Sequence, residues 1–203
     1  MKYTSRLDGS EVNISIDTEK KYGIMVSGGL DSAVLLYMLI EEGAHEIQAF
    51  TIDKSDGSNL HANNVIEHFN DKFGLNLAKP ILVGDPRVHH SKQSMTALID
   101  IFTNHDIDCL YNALNQNPPG ALSEHPGAPR RATRSPVEKL KLPFVDLHKN
   151  HILDFMYELE QEDLIDITHT CTERIYGRCD VCWQCQERQW AFAQLNKRDT
   201  GIR

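Results

Sequence analysis

Tyr22-Gly23-Ile24-Met25-Val26-Ser27-Gly28-Gly29-Leu30-Asp31-Ser32 decides how this 203-residue chain is read. Tyr22 to Val26 is a short apolar run suited to a strand buried on both faces, and it ends abruptly in Ser27-Gly28-Gly29. From Asp31 to Glu42, Val34, Leu35, Met38 and Leu39 recur at helical spacing, and Gly43 supplies a stop. The glycines therefore sit between a strand and the first turn of a helix. That turn presents unpaired N–H groups and partial positive charge, and glycine lets an anion approach the backbone closely. The Ser27 and Ser32 hydroxyls add hydrogen-bond donors. Asp31 would repel a bare phosphate, so its presence points to a bridging Mg²⁺. The G-x-x-x-x-G-K-[ST] and G-x-G-x-x-G patterns are both absent. The competing reading is a tight strand–helix turn in which Asp31 merely caps the helix.

Outward from this stretch the alternation continues. Residues 4–16 read as a hairpin turning at Asp8-Gly9, with Val12, Ile14 and Ile16 alternating. A strand is expected at Ile47 to Ile52, and a helix at His61 to Phe73 with Val65, Ile66 and Phe69 on one face. Ile81-Leu82-Val83, a helix near residues 91–104 and a strand at Ile107 to Tyr111 follow. This order predicts an α/β fold: a parallel sheet with helices on both faces, in a single domain spanning 1–203. Residues 112–136 interrupt it with five prolines and two glycines, and a loop of that length is usually functional or disordered. Helices near Lys149 to Glu160 and Glu187 to Leu195 complete the pattern.

Composition narrows the function classes. Hydrophobic residues make up 40% and charged residues 25%, which argues against wholesale disorder. Twenty-one Lys and Arg against 29 Asp and Glu give a charge of -8, so stable nucleic-acid binding is not expected. The longest apolar stretch, Ala33 to Ile40, is too short to cross a bilayer, and residues 1–10 lack a signal-peptide core. A cytoplasmic protein with no membrane contact is the expectation.

Four of the five cysteines crowd into Cys171-x7-Cys179-x2-Cys182-x2-Cys185. Four thiolates complete a closed tetrahedral shell around Zn²⁺, usually a structural site, within a segment at 168–190. Iron–sulfur ligation and a redox pair are the alternatives, and His169 is a substitute ligand for Cys171. Cys109, inside an apolar strand, reads as a small core residue. Lys149 heads a helix. Arg130, Arg131 and Arg134, with Lys139 and Lys141, form a basic run on or beside the proline-rich loop; that run is either a solvated face or a mobile cover for an anionic ligand. Trp183 and Trp190 are taken as exposed aromatics available to a homodimer contact.

Ser27-Gly28-Gly29-Leu30-Asp31-Ser32 after a first strand resembles the signature of the PP-loop ATP pyrophosphatases, which cleave ATP to AMP and pyrophosphate while adenylating a substrate. The resemblance implies that Ser27, Gly28, Gly29, Leu30, Asp31 and Ser32 hold the pyrophosphate end. It also places Phe50 and Asp53 beside adenine and ribose and makes Asp31 and Lys149 catalytic. Apart from the resemblance, Arg130 and Arg131 on the proline-rich loop are expected to close over ATP or an acceptor carboxylate. Within that superfamily Lys149, Thr168-His169-Thr170-Cys171, Cys179 to Cys185 and Glu187-Arg188 leading to Phe192 are similar to the 7-cyano-7-deazaguanine synthase subfamily, which binds Zn²⁺ through Cys171, Cys179, Cys182 and Cys185. That likeness implies ATP, Mg²⁺, free ammonia and a deazapurine carboxylate as partners, with amide and then nitrile as products. The middle departs from the subfamily: Lys54 to Leu60 separates Asp53 from His61, Ser91-Lys92-Gln93-Ser94 replaces a Pro-Gly-Arg-Asn segment, and Asn112 to Arg134 replaces a Tyr-Pro-Asp-Cys-Arg segment. The rival readings are a PP-loop tRNA-thiolating enzyme, an amide-forming PP-loop ligase for another carboxylate, and a zinc-ribbon binding module with no catalysis.

Overall fold

The computed structural model describes residues 1–201 apart from 45, 53, 55, 86, 89, 130 and 132. Two residues assigned to nucleotide binding from sequence, Asp53 and Arg130, lie outside the described residues.

A small antiparallel hairpin opens the chain, β1 (Lys2–Thr4) with β2 (Glu11–Asn13). It is followed by β3 (Tyr22–Met25), α1 (Leu30–Glu41), β4 (Gln48–Ile52), α2 (Ser58–Phe73), β5 (Ile81–Val83), α3 (His90–Asn104) and β6 (Cys109–Tyr111). After the long loop come β7 (Leu140–Lys141), α4 (Lys149–Glu158), α5 (Leu164–Ile167) and α6 (Trp183–Gln194). β3 to β7 form a parallel sheet of order β5-β4-β3-β6-β7. The chain runs outward from β3 to β5 and returns to the other side at β6. The strand order therefore reverses between β3 and β6, and in open parallel sheets such a reversal opens a crevice beyond the strands' carboxyl ends.

The pleat sorts side chains onto two faces. Ile24, Ala49, Cys109 and Tyr111 join a core built with α1, α2, α4, α5 and the hairpin. Phe50, Leu110 and Val83 face Ala97 and Ile101 of α3 in a second core. The absence of a side chain at Gly23 makes the second face possible, since a Cβ there would stand 2.8 Å from the Phe50 ring.

Helix α1 departs from the amphipathic stripe expected of it. Every residue from Leu30 to Ile40 except Asp31 is buried, because the sheet lies beneath the helix and α4, α5 and the hairpin cover its remaining sides. β7 and α5 are too short to show a period in the sequence. α6 begins at Trp183, four residues before the expected start, which places Cys185 inside its first turn. Among the described residues of 112–136 there is only a 3₁₀ turn at Gly120–Leu122 and an isolated bridge from Gln116 to His148. Among the described residues no helix is long and apolar enough to cross a membrane.

Candidate functional site

The Ser27–Ser32 turn stands at the carboxyl end of β3, where the strand order reverses. Gly29 is the N-cap of α1 and no side chain caps the helix, so the first N–H groups of α1 open toward the crevice. Ser32 Oγ donates to the Gly29 carbonyl at 2.9 Å and accepts the Ser27 N–H at 3.3 Å, which braces the turn. Gly28 has a different task. Its φ is +75°, and a Cβ there would lie 2.3 Å from His61 Cβ and 2.7 Å from Ala62 N. It lets the turn pack against α2, while its carbonyl accepts the His169 N–H at 2.9 Å.

Asp31 begins a line of alternating charges. Its Oδ2 accepts from Lys149 Nζ at 2.7 Å; the same Nζ lies 3.1 Å from Glu187 Oε2; Glu187 Oε1 accepts from Arg131 Nη2 at 2.8 Å. The second oxygen, Asp31 Oδ1, is buried and has no hydrogen-bond partner. Lys149 and Glu187 are 5% and 1% exposed, so neither is a solvated surface group. Burial lowers the Lys149 pKa, but Asp31 and Glu187 outweigh it and hold the value above the ordinary lysine range. Burial pushes the Glu187 carboxyl up against the pull of Lys149 and Arg131.

Arg131 is not a free arm on a mobile cover. Its guanidinium donates to the Asn115 carbonyl at 2.9 Å, lies 4.9 Å from the Trp183 ring centre and pairs with Glu187. Trp183 is buried, its indole N–H bonded to Leu122 O at 3.0 Å. This corrects its assignment as an exposed aromatic. Trp190 is half-buried, edge-on to His148. Stacking and ion pairing fold the proline-rich loop down onto α6 and so hide both Arg131 and Trp183.

The crevice divides around the turn. One lobe, about 430 Å³, lies beyond β3, β4 and β6 and is lined by Val26, Thr51, Ile52, Ser94 and Asn112 among others. The other, about 220 Å³, is lined by Gly29, Leu30, Asp31, Lys54, Arg131 and Lys149, and is closed by Thr170 to Thr172. Phe50 lies outside both: its ring is fully buried beneath the sheet beside Gly23 and His105. The strand end that meets the first lobe does so through Thr51, which the pleat turns to the face opposite Phe50, and through Ile52, which shares the Phe50 face but lies at the carboxyl end of the strand.

Cys171, Cys179, Cys182 and Cys185 bring their sulfur atoms within 4.8 Å of one another. A tetrahedral Zn²⁺ with bonds of about 2.3 Å separates its sulfur ligands by roughly 3.8 Å, so this set fits one ion with little adjustment. The Cys182 N–H points to Cys179 Sγ at 3.2 Å. His169 stands apart: its Nε2 donates to the Gly177 carbonyl at 2.9 Å and its ring stacks on His61, centres 4.0 Å apart. Cys109 is buried in β6, as expected of a core residue.

Sequence reasoning gives Asn115 no place at all, meets Glu187 and His61 only within the family likeness and without a role, and considers His169 only as a substitute metal ligand. Asn115 follows β6 at the strand reversal, and that position was the available signal. The partners of Glu187 are 38 and 56 residues away in sequence, so the local Glu187-Arg188 pattern does not disclose its ion pairs.

Residues 6–73, which include the glycine turn, match the family model described as asparagine synthase. No curated protein matches the chain. Among solved structures, the U34-tRNA thiolase NcsA from Methanococcus maripaludis, with its 4Fe-4S cluster, is 15% identical, with a TM-score of 0.43. The alignment covers 70% of this chain and 58% of the thiolase, less than two thirds of its length. NMN synthetase from Francisella tularensis is 12% identical over 88% of this chain and 78% of its own, with a TM-score of 0.49.

Proposed function

We propose that the protein is a PP-loop ATP pyrophosphatase that adenylates a deazapurine carboxylate, 7-carboxy-7-deazaguanine, and passes the acyl group to ammonia. The observation that carries this reading is the Asp31–Lys149–Glu187–Arg131 line, set against the uncapped start of α1 at the strand reversal. The asparagine synthase match over 6–73 supports ATP-driven amide formation as the class of chemistry.

In this reading the nucleoside occupies the lobe beyond β3, β4 and β6, and the phosphates lie along Gly29 to Ser32. Lys149 and Arg131, each already held by a carboxylate, turn toward the phosphates and meet the negative charge that develops as pyrophosphate leaves. Asp31 Oδ1, buried without a partner, suits a hard cation, and Asp31 would hold Mg²⁺ there. When bound, Mg²⁺ supplies charge neutralisation across the phosphates. The acceptor carboxylate displaces pyrophosphate from the α-phosphorus to give an acyl adenylate. Ammonia then displaces AMP, with loss of a proton, to give the amide. In a second activation the amide oxygen displaces pyrophosphate from the α-phosphorus of another ATP; the C–O bond then breaks, AMP leaves with that oxygen, and the nitrogen gives up its two protons to yield the nitrile.

The four cysteines would hold Zn²⁺ as a closed structural site that fixes the start of α6, and with it Glu187. A thiolating enzyme with an iron–sulfur cluster is the second reading. Sulfur atoms within 4.8 Å of one another leave room for a single ion rather than a cubane with one thiolate on each corner.

The test is incubation with ATP, Mg²⁺, ammonium and 7-carboxy-7-deazaguanine, followed by mass spectrometry. A product lighter by about 19 mass units is the nitrile and one lighter by about 1 is the amide, each with AMP and pyrophosphate formed. ATP binding without AMP formation would move the acceptor to another carboxylate. Iron and acid-labile sulfide in the purified protein would favour the thiolating alternative.

A further inference from the structure

The phosphate lobe has a second wall that the proposed chemistry leaves unused. Gly29, Leu30 and Asp31 line the lobe from the glycine turn, while Thr170, Cys171, Thr172 and Gln184 line it from the cysteine segment. Formal charge does not choose the lobe's ligand. Asp31, Asp56 and Glu187 stand there with Lys54, Lys149 and Arg131, three carboxylates against three cations. Asp56 is occupied by the N–H and hydroxyl of Ser58, and Glu187 by Lys149 and Arg131. Both histidine rings at the lobe, His61 and His169, are bonded to backbone carbonyls. Selection must therefore come from hydrogen-bond groups that are still uncommitted.

On the first wall these are the opening N–H groups of α1, which no side chain caps. On the second wall it is the Gln184 amide. Thr172 Oγ1 donates to Gln184 Oε1 at 3.1 Å, so the carbonyl end of the amide is taken. Among the described residues no acceptor meets the other end, Nε2, on this half-buried side chain. Gln184 is also held still. It sits in the first turn of α6 between Cys182 and Cys185, beside Trp183, whose indole N–H is fixed on Leu122 O at 3.0 Å. A neutral donor placed before the ligand arrives stabilises charge without having to reorganise.

Donors on two walls suit a group that carries acceptor oxygens on both of its sides, as a pyrophosphoryl group does. We infer that Gln184 is a phosphate-binding residue whose amide N–H groups hold the β- and γ-phosphates of the nucleotide, and then the departing pyrophosphate, against the start of α1. The cysteine segment thereby touches ATP directly, through the spacer of its own Cys182-x2-Cys185 pair, besides fixing the start of α6. Thr172 acts through Gln184 and is a positioning residue. This contact deepens the adenylation reading and rests on it for the identity of the lobe as the phosphate site.

The test is equilibrium binding to the full-length protein in Mg²⁺. The probes are inorganic pyrophosphate, AMP and an ATP analogue that cannot be cleaved between its α- and β-phosphates. Gln184→Leu removes the donors at similar volume. It should weaken pyrophosphate and the analogue by about tenfold, the scale of one hydrogen bond to a charged group, and leave AMP within about twofold. Gln184→Glu turns a like charge to the phosphates and should weaken both further. Elemental analysis checks that each variant keeps the metal content of the wild type. Should Gln184→Leu lose metal, Thr172→Val carries the test: the amide stays but loses its anchor, and pyrophosphate should bind about threefold more weakly with AMP unchanged. Pyrophosphate affinity that is unaltered in Gln184→Leu, or that falls equally with AMP affinity, overturns the contact. If the wild type forms AMP while pyrophosphate binding ignores the substitution, the contact falls and the adenylation reading stands. If pyrophosphate binding depends on Gln184 but the wild type forms no AMP with 7-carboxy-7-deazaguanine, the contact stands and adenylation of that acceptor falls. Wild-type protein that binds neither pyrophosphate nor the analogue overturns both.

Discussion

Residues 22–74 and residues 168–201 meet at the same crevice but are built by different means. The first stretch is two strands and two helices whose interior is almost wholly apolar, from Ile24 through Leu36 and Met38 to Phe69. It presents a ligand with backbone groups at a helix start. The second has one helix of any length, and its interior holds Cys171, Cys185, Glu187 and Arg188, with Cys179 and Cys182 half-buried beside them. Arg188, 1% exposed, donates to Asp199, to the carbonyls of Ile165 and Thr168 and to the Thr170 hydroxyl. An apolar interior is specified by many residues that can partly replace one another. An interior of buried ions and cysteines rests on few residues, and removing one of the ions strands a charged partner. The two stretches should therefore break differently.

The largest effect is expected at the cysteines. With Zn²⁺ held as proposed, Cys185→Ser, or chelation of the wild type, should release it and destroy the order of 168–201, because a four-ligand site contributes folding free energy directly. Hydrogen exchange followed by mass spectrometry is the check: protection should vanish across 168–194 while peptides from β3, α1 and β4 keep theirs. Simultaneous loss in both stretches would show that they fold as one unit and erase the contrast.

Glu187→Ala comes next. It leaves Lys149 and Arg131 facing each other without the carboxylate between them, and breaking a buried ion pair in this way costs about 3–5 kcal/mol. Chemical denaturation measures that loss. The Glu187→Gln variant should recover part of it by keeping one hydrogen bond. A loss below about 1 kcal/mol for Glu187→Ala would mean that the line of charges is no stronger than a surface pair.

Gly28→Ala tests whether the apolar stretch has a residue without a substitute. The new methyl group must enter a left-handed backbone position, with φ +75°, and push against the backbone of His61 and Ala62. Strain and overpacking together predict a loss of about 2–3 kcal/mol. Leu36→Met in the same stretch should cost less than about 1.5 kcal/mol. Equal losses at the two positions would refute the claim that Gly28 is set by close packing.

The contrast also explains what the sequence could and could not disclose. The run from Tyr22 to Val26, the helical spacing after Asp31 and the Cys-x2-Cys-x2-Cys spacing are local, and each led to the right element. The paired chemistry was not local. Arg131 looked like part of an exposed basic run because its partners, Asn115, Trp183 and Glu187, are brought to it only by the folded loop. Lys149 carried no sign of burial, since the Asp31 it meets is 118 residues away. Phe50 lies deeper than its place near the strand end suggested: Thr51 on the other face and Ile52 at the end of β4 line the lobe, while Phe50 is fully buried against α3. Lengths of regular structure follow from neighbours in sequence, and ionic interiors follow from neighbours in space.

The smallest expected effect, and the finest test of the contrast, is acid. Asp199 ties Arg188 and Arg178 to the carboxyl-terminal segment. Burial pushes its pKa up, but the hydrogen bonds and charge of Arg188, with Arg178, outweigh that and hold the carboxyl below the usual aspartate value. A folded-state pKa below the unfolded one means that the tie contributes at neutral pH, above the unfolded value of about 3.9. It is lost as the pH falls through the folded value. Asp163, between Lys72 and His68, carries a shift of the same sign at the junction of α2 and α5, so the wild type alone cannot separate the two. Asp199→Asn can. That variant should be less stable at neutral pH by about 1–2 kcal/mol, and its stability should fall less steeply than the wild type's between about pH 5 and 2. Parallel curves for the two proteins would place the acid sensitivity elsewhere, and Asp199 would then be a neutral hydrogen-bonding group rather than the ion that closes the carboxyl-terminal stretch.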